Sequence, residues 1–144
     1  MAIARHDAGV EAALAALASQ VHPVFMLPPL GASWFGAVLA GEFRLLSGAL
    51  HAAAMFFAVY TAHVKDGYVD FYRRGEDDDH PLSRRGCHLA LAGAAFGFAL
   101  TAAALVGLVD FGVLVLTVPA WVVGFFHAPQ LDTNPLTATL GYPF

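Results

Sequence analysis

Between Pro23 and Gly41 the chain runs for nineteen residues without a charge, PVFMLPPLGASWFGAVLAG. As a helix, that stretch is about 28 Å long, close to the hydrocarbon thickness of a bilayer. Three further stretches repeat the pattern, at about 45–64, 88–109 and 111–126. Runs this long and apolar leave few folds open, because a backbone in lipid must satisfy its own hydrogen bonds. The expected fold is all-α: an integral membrane bundle of four transmembrane helices, forming a single membrane domain over residues 1–144. Pro23 suits the first turn of its helix, and Pro28 and Pro29 are interruptions that membrane helices tolerate.

Composition agrees. Only 12% of residues are charged and the mean hydropathy is +0.64, whereas a soluble domain carries about 25% charged residues. The start, Met1-Ala-Ile-Ala-Arg-His-Asp, is too polar for a signal peptide. Residues 7–20 read instead as a short Ala/Leu helix, with Asp7 and Glu11, lying at the membrane interface or packed on the bundle. With Cys87 as its one cysteine, the chain can form no internal disulfide. It also lacks the basic face that nucleic acid requires.

The charge that remains is concentrated. Residues 65–86, KDGYVDFYRRGEDDDHPLSRRG, hold eleven of the eighteen formally charged residues. The sequence reading treats 65–87 as a polar loop between the second and third spans. Up-down connectivity puts this loop and both termini on one side, with Arg5, Lys65, Arg73, Arg74, Arg84 and Arg85; the other side has Arg44 alone. That bias makes the loop side cytoplasmic and the protein a multi-pass component of the cell membrane.

Asp66 and Asp70 are four residues apart, so they share a face if the second span continues as helix. Two such carboxylates can hold Mg2+ when water and phosphate oxygens complete its octahedron, with Glu76 and Asp77 near enough in sequence to join. The neighbouring cations, Lys65, Arg73, Arg74, Arg84 and Arg85, suit an anionic diphosphate. Acids and bases mixed in this way fit a metal–diphosphate site better than attachment to anionic lipid, which needs bases alone. His22, before the first span, and His127, after the fourth, lie on the same side and can face the same cavity. His63 sits three residues before Asp66 and suits a supporting or cavity role. His51, mid-span, is expected to be a hydrogen-bonded packing residue. No HExxH or tight HxxxH pattern marks an imidazole metal site, and no Ser has the base and acid that nucleophilic catalysis needs. Gly93 and Gly97, and the stripe Ala32, Gly36 and Ala40, are expected at close helix contacts.

These residues resemble, in order, the N-terminal half of a UbiA-family membrane prenyltransferase. The resemblance rests on His22-Pro23 and Pro28-Pro29 in the first span, Asp66-Gly-Tyr-Val-Asp70 with Glu76-Asp77 after the second, Pro81-Leu82-Ser83-Arg84-Arg85-Gly86, and Phe126-His127-Ala128-Pro129 after the fourth. The chain departs from the family pattern in four ways. Lys65 stands where the family has Asn, the two aspartates are four apart rather than three, His22 replaces Arg, and the family's second aspartate-rich motif has no counterpart here. The resemblance implies transfer of an isoprenyl group from an allylic diphosphate to a lipophilic acceptor, with Mg2+ as cofactor and membrane lipid as surroundings. Asp66 and Asp70 would be the catalytic pair, with Asp77 a third metal ligand; Lys65, Arg74, Arg84, His22 and His127 would bind substrate. It also implies a truncated or split protein, inactive alone, whose partner is a complementary C-terminal half. Two other classes compete. One is a non-enzymatic four-span protein that binds lipid or assembles with a partner. The other is a small metal-ion carrier built on Asp66, Asp70, His63 and His127, against which counts the absence of any acid at mid-span.

Overall fold

In the computed structural model, which describes residues 2–41, 43–131 and 133–135, the apolar runs are helices and no strand forms among the described residues. The helices are α1 (Val10–Ala18), α2 (Pro23–Leu39), α3 (Leu45–Val69), α4 (Arg84–Leu108) and α5 (Val113–Phe126). α3 packs against α2, α4 and α5, whereas α2 and α5 rest on α3 rather than on each other. Successive helices run up and down. At one end, the His22 ring before α2 meets His63 late in α3, with centroids 4.9 Å apart. At the other, Ser33 of α2 bonds His51 of α3 at 2.9 Å, so His51 is the hydrogen-bonded packing residue its position suggested.

Small residues set the helix spacings. A Cβ on Gly97 would run into the Phe57 ring, and one on Gly124 would come within 2.5 Å of the Ala58 carbonyl oxygen. The second contact is with backbone, which cannot swing aside. Gly93 and Gly36 meet nothing within 4 Å and Ala32 and Ala40 are exposed, so of the small-residue stripes read from sequence Gly97 is the position at a tight contact.

Two differences from the sequence reading matter for the site. First, the polar segment is largely helical. α3 carries on as a wider turn of π-helix over Asp70–Arg74 and ends at Gly75, whose φ of 68° is left-handed and favours glycine. α4 begins at Arg84, capped by the Ser83 hydroxyl, which accepts from the Gly86 amide. The loop therefore shrinks to residues 75–83. Local chemistry carries the helix onward: Arg74 pairs with Asp70 one turn back at 2.9 Å, and the Tyr68 and Tyr72 rings pack 5.4 Å apart on the same face.

Second, α2 has seventeen residues and reaches spanning length only with α1, from which it is bent by 69°. The bend lies where His22 is extended and Pro23 opens the new helix. Three helices are each long and apolar enough to cross a membrane: α3 with its extension to Arg74, α4, and α5 with the turn to Leu131. α1 packs on the bundle, its Leu17 carbonyl accepting from the Tyr60 hydroxyl at 3.0 Å.

The N-terminal residues form a strap unforeseen from sequence. Ala4 pairs with Leu82 in an isolated antiparallel bridge, with Arg5 N–H donating to Pro81 and Ser83 N–H to Ile3 at 2.8 and 2.9 Å. Outside the core, apolar side chains face outward: Phe35, Leu39, Phe96 and Leu116 are each at least 66% exposed. Gly124→Ala is expected to part α3 from α5 and destabilise the fold by about 1–3 kcal/mol. Gly107→Ala, where a Cβ meets nothing within 4 Å, is the control that should melt like the parent in detergent.

Candidate functional site

The up-down arrangement brings the start of α2, the end of α3 and the end of α5 together, and a cavity of about 820 Å3 opens between them. Its deep part is apolar, built from Phe25 and Pro29 of α2, Met55, Ala58, Val59 and Ala62 of α3, and Ala120 and Val123 of α5. Its outer end is polar. Asp66 and Asp70 line it from α3, Asp77 and Asp79 from the loop, and His22, His63, His80 and His127 from four separate stretches of chain.

The helical extension of α3 places both aspartates on this wall. They would not share a face had residue 65 begun a loop. The Asp70 carboxylate accepts a hydrogen bond from Arg74 at 2.9 Å, and that guanidinium lies 3.9 Å from Glu76. Asp77 lies at the exposed mouth. Among the described residues, no three His, Cys, Asp or Glu side chains converge closely enough to hold a metal ion. A Mg2+ ion here would rest on Asp66 and Asp70, with its other positions filled by water and ligand oxygens. That donor set suits Mg2+, which keeps much of its shell outside the protein.

The basic residues lie elsewhere. Lys65 turns from the cavity toward α5, where its ammonium donates to the Phe125 carbonyl oxygen and lies 4.1 Å from the centre of the Phe125 ring. Arg84 stacks over Tyr72 at 4.8 Å, and Arg74 serves Asp70. None of the three is among the cavity-lining residues, whereas His22 and His127 both are. The nitrogen-bearing side chains facing the cavity are thus imidazoles, together with the buried Gln20 amide.

Three contributors were missed from sequence. Asp79 looked like one acid in a solvated run. It instead anchors the N-terminal strap, accepting from Arg5 at 2.9 Å and His6 at 2.8 Å. Gln20 looked like the end of a short helix. His80 drew no assignment from the sequence, yet it is 3% exposed. The His80-Pro81 pair at the close of a charge run was the available signal, but its meaning depends on Gly67, which supplies the wall the ring rests on. The Nε2 atoms of His63 and His80 are buried with no hydrogen-bond partner among the described residues. An unsatisfied buried polar group costs about 1–3 kcal/mol.

No protein-family model, curated protein or solved structure matches the chain.

The hydrogen bond from His6 is the main influence holding the Asp79 carboxyl below the ordinary aspartate range, followed by the His80 backbone N–H, with Arg5 adding attraction. A carboxyl lowered by folding lends stability above its unfolded pKa and loses it as pH falls through the folded one. The strap is therefore expected to hold at neutral pH and to loosen as pH drops below about 4. Amide hydrogen exchange of residues 2–6 reads this directly, and Asp79→Asn should reproduce the loosening at pH 7.

Proposed function

We propose that the chain is a membrane-embedded half of a prenyl-transfer site, binding an isoprenyl diphosphate with its tail between α2, α3 and α5. One observation carries the reading: a cavity that is apolar in its deep part opens to a polar end whose wall includes two carboxylates one helical turn apart. Its volume lies within the roughly 300–1,000 Å3 of ordinary ligand sites. The outward apolar side chains of α2, α4 and α5 need an apolar solvent, and burial in a bilayer supplies it. The basic residues of the strap, the end of α3 and the start of α4 then face the cytoplasm.

In this reading the apolar wall aligns the tail and keeps water from the reacting carbon. Asp66 and Asp70 would hold Mg2+ at the polar end, where the ion would supply charge neutralisation for the diphosphate head. The bond from the allylic carbon to the diphosphate oxygen breaks, both electrons leaving with the oxygen. The acceptor's electron pair forms the new bond to that carbon, and the acceptor then loses a proton. Chain alone, with the cavity open between α2 and α5, is expected to bind without turnover; a complementary half would cover the exposed faces of those helices.

A second reading is a non-enzymatic lipid-binding protein, favoured by the absence of Lys and Arg from the cavity lining. Such a cavity would hold a neutral-headed lipid as readily as a diphosphate. Equilibrium binding to the detergent-solubilised chain separates the two. Farnesyl diphosphate is expected to bind only with Mg2+, and Asp66→Asn with Asp70→Asn should weaken that binding at least ~10-fold. Equal, Mg2+-independent affinity for farnesyl diphosphate and farnesol would favour the neutral-lipid reading.

A further inference from the structure

The apolar part of the cavity is open at its side, between α2 and α5, but it ends on a closed floor. Where α2 meets α3, Ser33 and His51 are bonded at 2.9 Å. One turn deeper the Trp34 ring lies against Gly48, where a Cβ would come within 2.7 Å of it. Where α5 meets α3, Met55 and Trp121 pack on the core of Ala54, Phe98, Ala102 and Leu105. Met55 thus faces two ways: it lines the cavity and it covers the core beneath.

The floor stands at one level on three helices. Pro29, Met55 and Ala120 are the deepest cavity-lining residues of α2, α3 and α5. Pro29 lies seven residues past His22, Ala120 seven before His127, and Met55 eight before His63. At the rise of a helix, each is about 10–12 Å below the ring of imidazoles. Asp66 stands eleven residues beyond Met55, so the floor is about 16 Å from the first carboxylate. An isoprene unit extends a carbon chain by about 5 Å, so two units span about 9 Å, three about 14 Å and four about 19 Å.

We infer that the cavity seats a tail of three isoprene units, and that Met55 is the residue that sets this length. The measurement presupposes the diphosphate reading above, with the head at Asp66 and Asp70. A two-unit tail stops one unit short of Met55 and forfeits the contacts there. A fourth unit meets the floor and has to turn out between α2 and α5. Among lipid or detergent the tail is already out of water, so packing against the wall, rather than escape from water, does the selecting.

The test measures Kd for geranyl, farnesyl and geranylgeranyl diphosphate, each with Mg2+, on the full chain in detergent. The parent should bind farnesyl diphosphate at least about tenfold tighter than the other two. Met55→Ala opens the floor and should bring geranylgeranyl diphosphate level with farnesyl or ahead of it. Met55→Phe raises the floor and should remove the advantage of farnesyl over geranyl. Equal affinity for the three tails, or a preference that neither variant shifts, would overturn the role of Met55 and leave the diphosphate reading standing. Absence of Mg2+-dependent binding of all three by the parent would overturn both. If neither variant folds, the parent is irradiated with farnesyl diphosphate that carries a photoreactive group on its terminal carbon. Attachment within a turn of Pro29, Met55 or Ala120 supports the floor; attachment elsewhere, or no more than without Mg2+, overturns it.

Discussion

The persistence of α3 as a helix beyond its apolar run is the constraint on which the polar end depends. A chain leaving a bundle at Lys65 would scatter Asp66 and Asp70 into a loop. Here the backbone keeps its helical bonds through to Arg74, and one face of that extension becomes the wall of a cavity. The same continuity makes Gly67 a flat seat for His80. It also presents Tyr72 to Leu82, whose carbonyl oxygen accepts from the Tyr72 hydroxyl and whose amide donates to His80 Nδ1, so both contacts that order the loop meet at one residue.

Charge at this end is mostly balanced in pairs. Asp70 is matched by Arg74, Asp79 by Arg5 and His6, and Lys65 by the carbonyl end of α5. Several of these pairs are exposed, and exposed pairs contribute little to stability on their own. Their effect is positional. They hold the strap, the loop and the ends of α3 and α5 together, which leaves the imidazoles and the Gln20 amide as the nitrogen-bearing groups on the cavity wall. A polar segment that looks like a cationic grip in the sequence becomes, once folded, a carboxylate and imidazole surface supported by cations turned elsewhere.

The opposite half of the molecule follows different rules. Ala54, Phe98, Ala102 and Leu105 form a small core there, and Gly97 lets α4 approach the Phe57 ring of α3. Side chains larger than these occupy the outside. Close packing of small residues, with bulky ones facing out, is how helices associate when lipid rather than water surrounds them.

Legibility in the sequence followed the range of the interaction. Helix positions were readable where hydrophobic run length and proline placement act within a few residues: α2 begins at Pro23, and His22, Asp66, Asp70 and His127 stand out in the sequence as polar residues at one end of the bundle, whereas the Ser83 cap, which starts α4 at Arg84, four residues before His88, was not read. The extent of the polar loop was misread because side-chain pairing, Asp70 with Arg74 above all, extends helix into a segment whose composition suggests coil. What tertiary structure alone decided was direction and partnership. Lys65 and Asp66 are neighbours in the chain, yet the helical turn points one at α5 and the other at the cavity. Asp79 finds Arg5 and His6 from the far end of the chain, and His80 is buried only when Gly67 is brought beneath it. The sequence by itself determined where helices form, since that depends on local hydrogen bonding and apolar length. Which polar atoms are satisfied and which are left facing the cavity depends on contacts between distant segments, and only packing could settle that.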